Sequence, residues 1–141
     1  MAWWKSQPDA WAACRKNTVP PKDAMRDYLT WLKGLSGKPI FVAHPVSFDY
    51  TFISWYLHAF VGEDPFRLAA VDIVTYSMAV LRKPWTQSTS RHMPEHWFDP
   101  EHPHTHKALD DALEHAMLFC NMVAANQAGD HSSDTARPFS P

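Results

Sequence analysis

Two aspartates and a histidine stand where their chemistry is hard to explain as surface decoration. Asp111 lies within "THKALDDALEHAMLFCNM", Thr105 to Met122, near the start of a helical pattern. It falls at i, i+4, i+7 and i+11 with His115, Leu118 and Met122. The clean polar face of that pattern is Asp110, Glu114 and Asn121, and Asp111 is off it. Asp49 repeats the arrangement, with Ile53, Tyr56 and Phe60 at the same spacings. An ionised carboxylate on an apolar stripe needs a partner, because burying a lone charge is costly. A first-turn acid that simply favours the helix dipole is one account of each. A shared site for a divalent cation is the other, since carboxylate oxygens are hard ligands suited to Mg²⁺ or Mn²⁺. His106 precedes Asp111 by five residues, and an imidazole there suits proton transfer near neutral pH. His92, His96, His102 and His104 crowd the same region. A histidine-rich loop and a zinc site are both readings of that crowding, although no CxxC motif anchors zinc.

The elements that must position these groups follow from periodicity and turn residues. A short helix is expected over Pro8 to Arg15 and a clearer one over Asp23 to Leu35, where Met25, Tyr28, Leu29, Leu32 and Leu35 recur at helical spacing. Gly34 and Gly37 mark its end. "PIFVAH", Pro39 to His44, is an apolar run that reads as a buried strand. Ser47 is placed to cap a helix from Phe48 to about Phe60. A second strand is expected around Ala70 to Ile73, then a helix from about Thr75 to Leu81. Lys83 to His104 has no periodicity and holds four prolines and four histidines, so it reads as a long functional loop. The last helix spans about Lys107 to Ala125. Its apolar stripes are Leu109, Ala112, Leu113, Ala116, Met117 and Cys120 on one side, and Ala108, Leu118, Phe119 and Met122 on another. Residues 126–141 read as a disordered tail.

Strands joined through helices imply an α/β fold with a short parallel pair flanked by helices. Sheets normally hold more strands than two, so the sheet is expected to be incomplete. The chain has 141 residues, which suits one domain over 1–125, and 45% apolar residues, enough for a core. A net charge of −2 excludes a global positive field for nucleic acid, so any such contact is local or helped by cations. Cys14 and Cys120 form no disulfide framework, which fits a reducing compartment. No run of 18 apolar residues occurs, and "MAWWKSQPDAW" has no signal-peptide pattern. A cytoplasmic protein with no membrane partner is the expectation.

"FVAHPVSFDYTFI" and "HKALDDA" resemble the second and third motifs of the DEDDh 3'–5' exonucleases in the ribonuclease H-like superfamily. The second motif is an aspartate after a hydrophobic strand and short turn; the third is His-x4-Asp, here His106 and Asp111. Lys107 occupies the place that is Tyr in the tyrosine-type variant. "PDAWAACRKNTVPPKDAMRDYLTWL" is similar to the segment before the second motif in a bacterial branch of small exonucleases. The resemblance implies a ribonuclease H-like fold, N-terminally truncated, and two-metal phosphodiester hydrolysis with Mg²⁺ or Mn²⁺. It implies Asp111 on the ion that holds the attacking water, Asp49 supporting the second ion, and His106 as general base. It implies a single-stranded nucleic-acid 3' end, RNA or DNA, as partner, with a homodimer as an open alternative.

The family's first motif, Asp-x-Glu on an N-terminal strand, has no counterpart. The only Asp-x-Glu is "DPE", Asp99 to Glu101, in the proline-rich loop, and the role does not transfer to it. The expectation is therefore a domain incomplete at its N-terminus, with doubtful activity as written. A non-catalytic nucleic-acid- or protein-binding remnant of the fold is the alternative. The aromatic N-terminus, Trp3, Trp4 and Trp11, is expected to be tied in part to the absent strands. Pro45 stands where many relatives carry Asn, which bears on the grip on the terminal nucleotide.

Overall fold

The computed structural model describes residues 2–129. These residues form two compact units: one from Arg15 to Asp72, the other from Ala2 to Cys14 together with Ile73 to Gly129.

The Arg15–Asp72 unit is a strand–helix–strand motif with a preceding helix. Helix α3 spans Pro21–Gly34, starting on a proline whose missing N–H costs nothing in a first turn. Strand β1, Phe41–Ala43, pairs in parallel with β2, Ala70–Asp72, in the register Phe41↔Ala70, Val42↔Val71, Ala43↔Asp72. The crossover is α4, Val46–Val61, which Gly62 ends with a left-handed φ of 71° and an N–H donated to the Leu57 carbonyl at 2.9 Å. Leu32, Leu57 and Phe66 form the core, packed around by Met25, Tyr28, Phe41, Tyr50, Ile53 and Val61. Asp64 fixes the return from α4 to β2. Its Oδ2 accepts from Tyr50 Oη at 3.0 Å and Ser54 Oγ at 2.8 Å, and its Oδ1 from the Phe66 N–H at 3.0 Å. Burial, with the Asp64 charge second, raises the Tyr28 phenol above its ordinary pKa.

In the second unit, α1 (Ala2–Ser6) and α2 (Pro8–Ala13) precede α5 (Ile73–Leu81) and α6 (Ala108–Ala128). Ile73, Val74, Ser77 and Val80 of α5 are buried, as are Leu118 and Met122 of α6. The proline-rich connection is a chain of single 3₁₀ turns at Trp85–Gln87, Ser90–His92 and Glu95–Trp97. Trp97 anchors it, 2% exposed, and Asn121 Nδ2 donates to its carbonyl at 3.0 Å.

The expected order of helices and strands holds, with differences at the ends. Helix α4 begins at Val46 behind an extended Pro45, so Ser47 lies inside it and caps nothing. Helix α1 was not expected. Helix α6 runs to Ala128, three residues past the expected Ala125; of the expected tail, 130–141 lie outside the described residues. On α6 Leu118 and Met122 of one expected apolar stripe are buried, but most of the other expected apolar stripe faces outward. Leu109 is 71% exposed and Leu113 41%, with Ala112, Ala116 and Cys120 also exposed, whereas Glu114 and Asn121 are half-buried. The expected solvent face turns inward because Glu114 and Asn121 have hydrogen-bond partners in the loop.

Candidate functional site

Asp111 sits in the first turn of α6, and its carboxylate reaches back along the chain. Oδ1 accepts the backbone N–H groups of Thr105 and of His106, each at 3.0 Å. Neighbouring Asp110 accepts from Thr105 Oγ1 at 2.6 Å. Two adjacent aspartates thus hold the segment that enters the helix. That is why a carboxylate can occupy a half-buried stripe: its charge is met by aligned N–H donors and by the positive end of the helix.

His106 is held in a left-handed conformation with φ 62°, an uncommon backbone for a residue with a Cβ. The N–H···Oδ1 bond to Asp111 helps keep it there. The His106 ring meets two other rings. Trp3 lies edge-on with centroids 5.2 Å apart, and His104 does so at 4.5 Å. His104 Nε2 and His106 Nδ1 are 3.0 Å apart. The opposite side of the His104 ring faces carboxylates, with Nδ1 2.7 Å from Glu114 Oε2 and 3.3 Å from Asp111 Oδ1. His104, His106 and Asp111 each present a ligand atom, all within 4.8 Å of one another.

The structure therefore brings His106 and Asp111 together, and adds His104 and Glu114, which the spacing argument missed. The histidine crowding was the available signal. It did not say which histidines converge: His92 bonds Thr89, and His102 bonds Asp99.

Asp49 belongs to the Arg15–Asp72 unit. It lies half-buried in the first turn of α4, and its carboxylate has no hydrogen-bond or ion-pair partner among the described residues. Just before it, at the carboxyl ends of the parallel strands, Asp72 Oδ2 accepts the Val46 N–H at 3.2 Å and lies 3.4 Å from His44 Nδ1. The His44–Pro45 peptide is cis. Asp72 thus fixes the turn that launches α4 and carries Asp49, a role the sequence reading did not assign.

The "DPE" segment is a turn. Asp99 Oδ1 accepts the Glu101 N–H at 2.9 Å and Oδ2 pairs with His102 at 3.0 Å. The Glu101 N–H first, and the His102 ring second, hold the Asp99 carboxyl below the ordinary aspartate range. At the N-terminus the three tryptophans pack against one another, Trp3 edge-on to Trp4 with centroids 4.8 Å apart and Trp4 tilted against Trp11 at 5.1 Å.

In the Arg15–Asp72 unit the Asp49 carboxylate has no hydrogen-bond partner among the described residues, and in the other unit Asp111 keeps Oδ2 without one while Oδ1 serves the backbone; each is a hard oxygen donor of the type that Mg²⁺ or Mn²⁺ takes. No helix among the described residues is long and apolar enough to cross a membrane.

The profile of the RNase T family, described as exonuclease, matches residues 14–119. The chain is 33% identical over 104 residues to the 3'-5' DNA exonuclease Cap18 of Escherichia coli. That alignment covers 72% of this chain and 55% of the relative, so the chain spans about half the relative's length. With the strand–helix–strand motif and the His-x4-Asp pair, these matches settle the family: the chain belongs to the RNase T family of 3'–5' exonucleases, in the ribonuclease H-like superfamily.

Proposed function

We propose that this chain carries the second and third motifs of a DEDDh-type, metal-dependent 3'–5' exonuclease. Asp49 and Asp111 are its metal-binding carboxylates and His106 its general base. The observation that supports this best is the tie between His106 and Asp111, in which the aspartate's N–H acceptance fixes the backbone of the histidine. Bound divalent ions, Mg²⁺ or Mn²⁺, supply neutralisation of the scissile phosphate and of the departing oxygen. The chain's own residues do the rest. Asp111 positions the His106 backbone, Trp3 packs against its ring, and His106 takes the proton of the attacking water. The substrate is the 3' end of a single strand, and the relative's activity on DNA favours DNA over RNA.

A second reading, a non-catalytic binding form of the fold, has its own support. The only Asp-x-Glu is committed to the turn at Asp99 to Glu101, so two of the family's four carboxylates are not supplied by the described residues. Misplacement of about 1 Å costs a rate on the order of a hundredfold. The chain as written is therefore a weak nuclease, and joining it to a strand bearing Asp-x-Glu restores activity.

The test is Mn²⁺-dependent release of mononucleotides from a 3'-labelled single strand, as DNA and as RNA. It compares the chain, the chain with an added N-terminal Asp-x-Glu strand, and that form with Asp111→Ala. The expected order is weak, strong, and none. Activity of the extended form that survives Asp111→Ala would remove the metal role from Asp111, and an inactive extended form would favour the binding reading.

A further inference from the structure

We infer that His104, His106 and Asp111 form a binding site for a transition-metal ion of the zinc class, distinct in its chemistry from the hard-cation role proposed above. Ring nitrogens of two histidines and a carboxylate oxygen lie within 4.8 Å of one another. Imidazole donors favour Zn²⁺ over Mg²⁺, which takes oxygen ligands and gives up its water reluctantly.

The arrangement around His104 is the one that metal-binding histidines use. Its Nδ1 faces Glu114 Oε2 at 2.7 Å, and its Nε2 points at His106 Nδ1, 3.0 Å away. A carboxylate on one ring nitrogen fixes the tautomer and leaves the lone pair of the other free to ligate. Two imidazole nitrogens on a tetrahedral zinc ion are about 3.3 Å apart, given bond lengths of about 2.0–2.1 Å. The observed 3.0 Å needs to widen by only a few tenths of an ångström to admit the ion. Asp111 lies beside both rings, with a carboxylate oxygen in the set of atoms within 4.8 Å of one another, so its side chain must close inward to become the third protein ligand; a position is then left for water, and His104 is exposed enough to be reached from solvent.

The consequence for catalysis rests on the exonuclease reading. A zinc ion here occupies His106 Nδ1 and draws on Asp111, so it removes the base from its task. The site then acts as an inhibitory metal switch. Glu114 and His104, which lie outside the His-x4-Asp pair, serve as the orienting carboxylate and as a ligand.

The test uses the full chain stripped of metal. Zn²⁺ is titrated against a chromophoric chelator, and Co²⁺ is titrated with visible absorption as a report of nitrogen and oxygen ligation. One equivalent should bind. His104→Ala and His106→Ala should each weaken binding by more than about tenfold, and Glu114→Gln by about tenfold through lost orientation. His92→Ala and His102→Ala should leave it unchanged. Circular dichroism checks that each variant keeps its helices. In the unaltered chain, where folding of a variant is not at issue, Zn²⁺ should move the ring resonances of His104 and His106 and spare those of His92 and His102. Failure to bind one equivalent, affinity indifferent to His104→Ala and His106→Ala, or resonance changes confined to other histidines would each overturn the site. A chain that binds zinc this way but stays inactive when extended with Asp-x-Glu sinks the catalytic reading and keeps the metal site. An active extended enzyme indifferent to zinc does the reverse.

Discussion

Asp49 and Asp111 look alike as text and differ as chemistry. Each stands in the first turn of a helix, on a stripe shared with apolar residues at i+7 and i+11. Asp111 is invested in its own backbone, accepting two N–H groups at 3.0 Å. Asp49 has no such partner among the described residues; the N–H of Val46, at the start of its helix, goes to Asp72 instead. One carboxylate builds a loop and keeps one oxygen spare. The other is left to do something besides holding the chain. A polar group that neither caps nor pairs in a folded domain is the stronger pointer to a ligand, because its partial burial is otherwise uncompensated.

The sharpest way to test the contrast is stability. Asp111→Ala leaves the Thr105 and His106 N–H groups without their acceptor, at a cost of ~1–3 kcal/mol. Asp49→Ala removes only a first-turn charge, worth less than ~1 kcal/mol. Urea unfolding of both variants should show the larger loss for Asp111→Ala. Hydrogen exchange should locate it, with the Thr105 and His106 amides exchanging faster in that variant alone. Equal losses, or amides indifferent to Asp111→Ala, would mean that the two aspartates are equivalent first-turn acids after all.

The helices bearing these aspartates also invite comparison. On α4, Phe48, Phe52 and Trp55 follow at i, i+4 and i+7 and are 60%, 53% and 61% exposed. On α6 the exposed apolar face is Leu109 and Leu113 with Ala112 and Ala116 beside them. Contiguous exposed aromatic surface drives association. The chain as written should therefore gain mass with concentration in sedimentation velocity. Phe52→Glu should suppress this more than Leu113→Glu, because it breaks the larger and more aromatic face. A monomer at all concentrations, or a greater effect of Leu113→Glu, would place the sticky surface elsewhere.

The helices and the parallel pair were legible because each rests on local signals. Apolar recurrence marked α3, α4 and α6, and an apolar run after a turn marked β1. What escaped depends on partners distant in sequence. Ser47 looked like a cap, but the turn before α4 is held by Asp72, twenty-six positions from the Val46 N–H it accepts. Glu114 looked like a solvent-face residue, but His104, ten positions earlier at the end of an aperiodic segment, draws it in. Asn121 was turned inward by the Trp97 carbonyl in the same way. Periodicity separates the stripes of a helix; it does not say which stripe finds a partner. For the same reason His106 and Asp111 could be read together from a five-residue spacing, whereas His104 was one histidine among several.

The smallest expected effect concerns the two acidic segments that resemble motif fragments, His-x4-Asp and the "DPE" turn. In the latter, Asp99 serves only its turn, and the Glu101 N–H with the His102 ring holds its carboxyl below the ordinary range. A carboxyl depressed in the folded state contributes stability above its unfolded pKa of about 3.9, and that contribution is lost as pH falls through the lower, folded value. The Glu101 amide resonance should therefore report the Asp99 acid step with a midpoint below the ordinary aspartate value. Asp99→Asn keeps an oxygen acceptor that does not titrate, so the turn should persist and the acid step vanish. Asp99→Asn should alter neither zinc binding nor Mn²⁺-dependent nuclease activity, because Asp99 pairs with His102 and Glu101 rather than with His104 or His106. An Asp99→Asn variant that lost either property would show that this turn belongs to the site, and the separation drawn between a turn-building aspartate and the working ones would fail.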